Sequence, residues 1–340
     1  MKKWYLIFLL PIVSFGQQAD VTIKQDITSI AFGSCNVQNY VKKQLWKEVS
    51  AQNPDLWIWL GDNVYSDGED MNQRRADYDL QKSHPDYQKL LANTGVIGIW
   101  DDHDYGLNDG GKEYPKKDES KAELFRFLDV PKDHPAQNRK GAYQSYSYEG
   151  TGGTIKIILL DGRYFRDKLE WENYGTPDKK ALVNETGDML GEKQWQWLKT
   201  QLQDESADFI IVACGIQFIP TQHRFEKWAN FPVARERFFE VLKEHVKVPL
   251  VLMSGDRHTS EISKIDLDGY PFPIFEFTSS SLNSSYPPKE DPNKFRVKHK
   301  VYEPNYALMN VSWEDNMPFI SIRFYMKDNE LLLEHSISYK

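Results

Sequence analysis

The chain has 340 residues, and its 42 Lys and Arg against 50 Asp and Glu give a formal net charge of −8. Its 10 Trp, 18 Tyr and 18 Phe can bury a large core, which excludes an intrinsically disordered protein. The acidic balance argues against non-specific binding to nucleic acid, which requires a positive field, and no nucleic-acid-binding surface is evident. We therefore expect a globular protein, and its length allows one large domain or two domains of typical size.

The N-terminal residues have the features of a cleaved signal peptide. Lys2 and Lys3 precede an apolar stretch at 4–15, which matches the ~7–15 apolar residues typical of such peptides. A membrane anchor would need ~20 apolar residues, and no later segment of the chain is long enough. We predict a signal peptide at 1–18, a secreted or periplasmic protein without a transmembrane segment after cleavage, and a single domain at 19–340.

Short apolar runs alternate with amphipathic stretches along most of the chain. Buried strands are predicted at 27–32, 56–60, 96–100, 143–148, 154–160, 209–213 and 250–253. Helices are predicted at 42–51, 71–93, 119–128, 191–203 and 231–245. Strands joined by turns follow at 260–267, 272–278, 306–313, 318–326 and 331–338.

Strands that alternate with helices imply a largely parallel sheet, and the late strands imply an added antiparallel sheet. We therefore predict an α/β fold in four layers, an αββα sandwich. Two mixed β-sheets would lie face to face, with the helices outside.

Polar clusters follow four of the predicted strands. The clusters are Gly33-Ser34-Cys35, Gly61-Asp62-Asn63-Val64-Tyr65, Trp100-Asp101-Asp102-His103 and Ser254-Gly255-Asp256-Arg257-His258. Ligands of open α/β sheets bind beyond the carboxyl ends of the strands, and neighbouring strands would bring the clusters together. One cluster alone is compatible with a simple turn, and His258 alone with a core histidine. Four clusters together indicate a metal site, because carboxylates that lie close repel each other unless a cation separates them.

Six motifs occur in a characteristic order. They are GSCN (33–36), GDNVY (61–65), WDDHD (100–104), DGRYFR (161–166), LGEKQWQWL (190–198) and SGDRH (254–258). This set resembles the alkaline phosphatase D family, a branch of the calcineurin-like metallophosphoesterases related in active-site plan to purple acid phosphatases. The resemblance covers about 28–280, and its specific features are the Cys after the first strand and the Tyr three residues after Asp62. It implies that 19–340 is a metallophosphatase catalytic domain.

The resemblance implies a role for each matching residue. The implied metal ligands are Cys35, Asp62 as the bridging carboxylate, Tyr65, Asp102, Asp256 and His258. The implied catalytic residues are His103 and Arg163. We also predict substrate contacts by Asn36, Asn108, Arg224 and Trp228, although the loop that carries the last two is equally compatible with an exposed polar loop.

The ligand types predict a mixed metal pair. Thiolate and phenolate ligands such as Cys35 and Tyr65 suit a transition metal, here Fe3+. The hard oxygen donors Asp102 and Asp256 favour Ca2+ over zinc, in agreement with the iron–calcium sites known in the family. Zn2+ or Mn2+ at one position is the alternative. An exported protein could instead pair Cys35 with Cys214 in a disulfide, but the metal assignment leaves Cys214 as a buried free thiol.

The implied activity is hydrolysis of phosphate monoesters, diesters or both, by in-line attack of a metal-bound hydroxide. Arg163 would bind a phosphoryl oxygen, and His103 would protonate the leaving group. One alternative is a lipid phosphodiesterase of the same family, which would need an apolar ring such as Trp171, Tyr174, Trp228 and Phe231. A non-catalytic calcium-binding secreted protein is a further alternative, but it would need neither His103 nor Arg163.

Overall fold

The computed structural model describes residues 19–287 and 291–340. The predicted signal peptide at 1–18 lies outside these residues. Fifteen β-strands and seven α-helices occur in the described chain. The strands are β1 (Val21–Ile23), β2 (Ser29–Gly33), β3 (Leu56–Leu60), β4 (Gly95–Ile99), β5 (Gln144–Glu149), β6 (Thr154–Leu159), β7 (Trp171–Glu172), β8 (Lys180–Ala181), β9 (Phe209–Ala213), β10 (Leu250–Ser254), β11 (Glu261–Ile265), β12 (Ile274–Thr278), β13 (Tyr306–Glu314), β14 (Met317–Tyr325) and β15 (Leu331–Ser338). The helices are α1 (Trp46–Ala51), α2 (Met71–Lys82), α3 (Pro85–Leu91), α4 (Asp102–Tyr105), α5 (Lys117–Phe127), α6 (Gly191–Leu202) and α7 (Pro232–His245).

Two large mixed sheets organise the fold, as the sequence predicts. The seven-stranded sheet has the order β1-β5-β6-β9-β10-β12-β11, and the six-stranded sheet has the order β15-β14-β13-β2-β3-β4. The late strands do not form a sheet of their own, so that part of the prediction is wrong. β12 and β11 extend the first sheet, whereas β13 to β15 extend the second, starting where β13 pairs antiparallel with β2. Each group covers an edge of parallel strands that would otherwise expose unpaired backbone groups.

The helices pack on the outer faces of both sheets. Along β9, Ile211 points into the apolar cluster that joins the two sheets, whereas Ile210 and Val212 point to the cluster that includes residues of α6 and α7. On the other sheet, Trp57 and Trp59 pack with their rings 5.0 and 5.1 Å from the ring of Trp46 in α1. Alternate strand residues therefore face a helix layer and the opposite sheet, which confirms the four-layer arrangement.

The helix boundaries differ from the predicted ones where local chemistry interrupts the pattern. The stretch at 71–93 is two helices, because Pro85 cannot continue α2 and instead starts α3. The stretch at 42–51 begins with a short 3-10 helix at Val41–Lys43, and its α-helix starts only at Trp46. Within the described residues, no helix combines the length and apolar character needed to cross a membrane.

The carboxyl ends of β2, β3, β4 and β10 meet at one place, although β10 belongs to the other sheet. The four polar clusters therefore converge from two sheets rather than from neighbouring strands of one. The turn after β10 comes unusually close to β3, since a Cβ atom on Gly255 would lie 2.4 Å from the carbonyl oxygen of Leu60. Only glycine permits this approach, which places the SGDRH turn beside Gly61-Asp62.

Candidate metal centre

The implied metal ligands come together in one ligand cluster, made of Cys35, Asp62, Tyr65, Asp102, Asp256 and His258. Candidate ligand atoms lie within 4.8 Å of one another in three groups, namely Cys35–Asp62–His258, Asp62–Asp102–His103 and Asp101–Asp102–Asp256. Asp62 and Asp102 each belong to two groups, so the groups are continuous. The Tyr65 hydroxyl joins them, 3.4 Å from Asp62 Oδ2 and 3.2 Å from His258 Nε2.

Four residues of the ligand cluster have left-handed backbone conformations. The φ angles are 57° at Cys35, 48° at Asp62, 67° at Asp256 and 52° at His258. Such angles are uncommon outside glycine and cost of order 1–3 kcal/mol each. The surrounding fold enforces them at the point where the strands end, which is typical of a functional site.

Two serine residues after β12 hold the first group in place. Ser280 Oγ lies 3.2 Å from Cys35 Sγ and accepts a hydrogen bond from the backbone N–H of His258 at 2.9 Å. His258 Nδ1 is 2.7 Å from the carbonyl oxygen of Ser284, so Nδ1 carries the proton and donates it. Nε2 of His258 is then the atom that faces the cluster, as in histidines that bind metals through Nε2.

The electrostatics of the ligand cluster favour a bound cation. Burial and the charge of Asp102 raise the pKa of both Asp62 and Asp256. Burial and the neighbouring Asp62 likewise raise the pKa of the Cys35 thiol. In the described part of the chain, the buried oxygens Asp101 Oδ2 and Asp102 Oδ1 have no hydrogen-bond partner. Bound metal ions would reverse these pKa shifts and satisfy these oxygens, so the residues present fit a metal site.

His103 lies on the open side of the ligand cluster and is held by a residue that the motifs did not single out. Its Nδ1 is 2.8 Å from a carboxylate oxygen of Asp67, whose side chain is 47% exposed. Burial lowers the pKa of His103, but Asp102, Asp62 and Asp67 outweigh burial and raise it to about 11. Asp67 follows Tyr65 by two residues, so an extension of the GDNVY motif by two residues would have included it.

Arg163 lies behind the ligand cluster with no exposed surface. Its Nε is 2.6 Å from Asp101 Oδ1, and its Nη1 is 2.6 Å from Glu226 Oε2. Glu226 Oε1 is also 3.1 Å from Arg166 Nε. We call Asp101, Arg163, Arg166 and Glu226 the rear network. Asp101 belongs to the WDDHD motif, whereas Glu226 belongs to none of the motifs and could not be predicted from the sequence.

Two predicted substrate contacts lie inside the fold. Asn36 is buried, and its amide nitrogen donates to the carbonyl oxygen of Asn63 at 3.0 Å and to Gln81 Oε1 at 2.7 Å. Trp228 is fully buried and stacks on Phe218 with ring centroids 5.0 Å apart. The prediction that Trp228 lines a cleft is therefore wrong.

Two of the four residues proposed as an apolar ring for a lipid phosphodiesterase are buried in the core and cannot border a cleft. Trp228 and Phe231 both lie in the hydrophobic core with no exposed surface, and their apolar character is explained by that packing. Only Trp171 and Tyr174 remain outside the core, with ring centroids 5.9 Å apart.

The other two predicted substrate contacts are at the surface. Asn108 is exposed and donates to Asp109 at 2.5 Å, while the backbone N–H of Asp109 donates to Asp102 Oδ2 at 2.7 Å. Arg224 is half-buried and lines a cavity. Cys35 and Cys214 are both buried free thiols, so the free Cys214 is confirmed.

Comparisons with known proteins identify the family. Residues 30–322 match the family model of the PhoD-like phosphatases. The alkaline phosphatase D of Bacillus subtilis (strain 168) is 23% identical in an alignment over 292 residues that covers 75% of this chain and 48% of that protein. The chain thus spans about half the length of this curated relative.

Two solved structures share the fold. The structure of PhoD is 16% identical with a TM-score of 0.67, over 94% of this chain and 73% of that one. The purple acid phosphatase PPD1 from yellow lupin (Lupinus luteus) seeds is 12% identical with a TM-score of 0.61, over 93% of this chain and 54% of that one. At these identities the likeness shows the fold alone. With the family match over most of its length, the chain belongs to the PhoD-like phosphatase family.

Proposed function

We propose that this chain is a metal-dependent phosphoesterase that hydrolyses phosphate monoesters, diesters or both. The observation that carries the proposal is the continuous ligand cluster, in which a thiol, a phenol, an imidazole and three carboxylates converge at the strand ends. Family membership supports the reaction class. Export through the signal peptide at 1–18 remains a prediction from the sequence.

The donor types support a mixed pair of metals. Cys35, Tyr65 and His258 would hold a transition metal, Fe3+ in our proposal, with Asp62 shared between the two positions. Asp102 and Asp256 would hold Ca2+, because they offer only hard oxygen donors. Zn2+ or Mn2+ at one position is the alternative. When bound, the metals would neutralise charge on the phosphoryl group and activate the attacking water.

His103 is the proposed general acid. Asp67 holds its Nδ1, which leaves Nε2 as the ring atom available to the leaving group. The Asp67 carboxylate favours the protonated ring, and this contribution would persist when metals neutralise the charges of Asp62 and Asp102. Asp67 is thus a positioning residue in this scheme, since it acts through His103 and not on the substrate.

Arg163 was expected to contact the phosphoryl group, but its surroundings favour a positioning role. Its guanidinium lies against Asp101, the residue before Asp102, and is closed off from solvent. Asp101 also belongs to the group with Asp102 and Asp256. We propose that Arg163 fixes this side of the ligand cluster through Asp101.

Metal analysis combined with two assays tests the proposal. The purified protein would be analysed for metals and assayed on nitrophenyl phosphate and bis(nitrophenyl) phosphate. We expect iron and calcium, loss of activity with a chelator, and better recovery with calcium than with zinc. Hydrolysis of neither ester with any of these metals would refute the phosphoesterase. Full recovery with zinc alone would refute the mixed pair.

The two cysteines provide a matched pair of variants for the iron position. Both are buried free thiols, but only Cys35 lies in the ligand cluster. We expect a visible charge-transfer band from iron bound to thiolate and phenolate. Cys35→Ser should shift or abolish the band and most activity, whereas Cys214→Ser should preserve both. A colourless, iron-free and fully active protein would contradict the assignment.

A further inference from the structure

A cavity of about 670 Å³ opens beside the ligand cluster. Its lining includes Arg257, which lies between Asp256 and His258 in the sequence. It also includes Tyr286, whose ring stacks on that of His258 with centroids 4.1 Å apart. The cavity and the ligand cluster are therefore adjacent.

The lining of this cavity is strongly basic. Lys179, Arg224, Arg257 and Lys300 face one lining carboxylate, that of Asp291, in the described residues. Asp109, just outside the lining, lies 3.4 Å from Lys179, so the described residues leave an excess of two positive charges here, although the whole chain has a net charge of −8. We call this feature the basic cavity. Such a local reversal of sign attracts and orients anions.

The cations of the basic cavity are only partly neutralised. Arg257 Nη2 is 2.6 Å from Asp291 Oδ2, and Lys300 Nζ is 2.9 Å from the same oxygen, so two buried cations share one carboxylate. Arg224 donates to the carbonyl oxygen of Pro177, lies over the ring of Phe225, and has no carboxylate partner in the described chain. Unpaired cations in a partly buried site are costly, and a bound anion would offset that cost.

The positive charge of the basic cavity also affects the pKa of neighbouring side chains. Burial and the charge of Arg257 lower the pKa of Lys227 to about 8. Burial and the charges of Arg257 and Lys227 also lower the pKa of His223, whose ring nitrogens are buried without a hydrogen-bond partner in the described residues. The field therefore extends beyond the cavity lining.

We propose that the basic cavity binds a second anionic group of the substrate. The chain would then prefer phosphate esters whose alcohol part carries a further carboxylate or phosphate, with Phe225 and Tyr286 packing against the linking atoms. Guanidinium groups bind both kinds of anion through paired hydrogen bonds. This inference rests on the proposed function, because the reacting phosphate would bind at the ligand cluster.

Binding of uncleavable phosphonates tests the basic cavity without turnover. The probes are ω-phosphonoalkanoates with three to six carbons, alkane bisphosphonates of the same lengths, and the matching alkylphosphonates with one anionic group. Calorimetry would measure their binding to the metal-loaded full chain. We expect the second anionic group to tighten binding about tenfold or more at one chain length at least. The comparison of carboxylate with phosphonate then identifies the preferred group.

Two variants assign that gain to the cavity. Lys300→Gln and Arg224→Gln should each lose most of the gain, and Arg224 is half-buried, so its replacement does not depend on the core. Lys264→Gln is the matched control, because Lys264 pairs with Asp266 outside the cavity. Absence of a gain at every length, or an unchanged gain in both variants, would overturn the inference. Ester hydrolysis without the gain would refute the basic cavity alone, whereas the gain without hydrolysis would refute only the proposed function.

Discussion

The rear network and the basic cavity both lie beside the ligand cluster, and both consist of cationic and carboxylate side chains, but the two regions differ in the balance of charge. In the rear network, two arginines and two carboxylates are buried and balanced, with Arg163 paired to both Asp101 and Glu226. In the basic cavity, four cations face one lining carboxylate of the described chain and border open space. The first arrangement can fix the positions of ligands, whereas the second has unsatisfied charge with which to bind an anion. The balance of cations and carboxylates, rather than residue type, separates the two roles.

The largest expected effect concerns His103, whose ring lies against that of Tyr65 at the ligand cluster. If it protonates the leaving group, His103→Ala should reduce turnover of an alkyl phosphate ester about 10²–10⁴-fold. A nitrophenyl ester should lose much less, because its leaving group scarcely needs a proton. Steady-state kinetics on both esters measure the difference.

Metal content is the control for the His103 variant, since His103 belongs to one of the three candidate ligand groups. We expect the metal content of His103→Ala to equal that of the parent protein. Equal losses on both esters would remove the general-acid role, and loss of metal would make His103 a ligand instead.

The rear network should contribute to the stability of the folded chain. Glu226→Ala leaves Arg163 and Arg166 buried without their shared carboxylate, which should cost about 3–5 kcal/mol of unfolding free energy. Glu240→Ala is the control, because the pair of Glu240 and Lys243 lies at the surface and is worth about 0–1 kcal/mol. Urea unfolding measures both. A similarly small loss of unfolding free energy in the two variants would mean that the buried arginines of the rear network do not need the Glu226 carboxylate.

Arg163 tests whether the rear network also serves catalysis. Arg163→Ala should lose about 2–4 kcal/mol of transition-state stabilisation on both esters alike. If the residue acts through Asp101, the affinity for calcium should fall in parallel, which calcium titration of activity would show. Arg237→Ala, at a surface pair with Glu192, should change neither. An intact calcium affinity with the same loss of activity would instead support direct contact with phosphate.

The sequence predicted most of the strands and the convergence of the polar clusters, because apolar runs and strand-end motifs are local patterns. It did not predict that β10 lies in the other sheet, since pairing between distant strands leaves no local pattern. Asp67 and Glu226 were missed because both lie in loops without periodicity. Arg163 and Trp228 show a further limit: a motif or a loop position gives the residue type and its approximate place, but not whether the fold buries it.

The last expected effect concerns Lys227, a buried lysine beside the basic cavity. Burial and Arg257 lower the pKa of Lys227 from 10.5 to about 8 in the folded chain. Below about pH 8 the lysine is charged in both states, and the folded state bears the full cost of that charge. Between about pH 8 and 10.5 the unfolded chain holds more protons, so stability should rise with pH, by about 3 kcal/mol from this residue.

Lys227→Met should remove this part of the rise, and Lys264→Met, at an exposed pair with Asp266, should not. Urea unfolding at several pH values from neutral to about pH 10 gives the slope for each protein. Other lysines and tyrosines titrate in the same range, so the difference between variant and parent isolates Lys227. Saturation of the cavity with an anion should also reduce the slope, because the anion offsets the charge of Arg257. Identical slopes in all three proteins would mean that Lys227 titrates alike in the folded and the unfolded chain. An anion that leaves the slope of the parent protein unchanged would mean that the charge excess of the basic cavity is not felt at Lys227, and the contrast with the balanced rear network would lose its energetic basis.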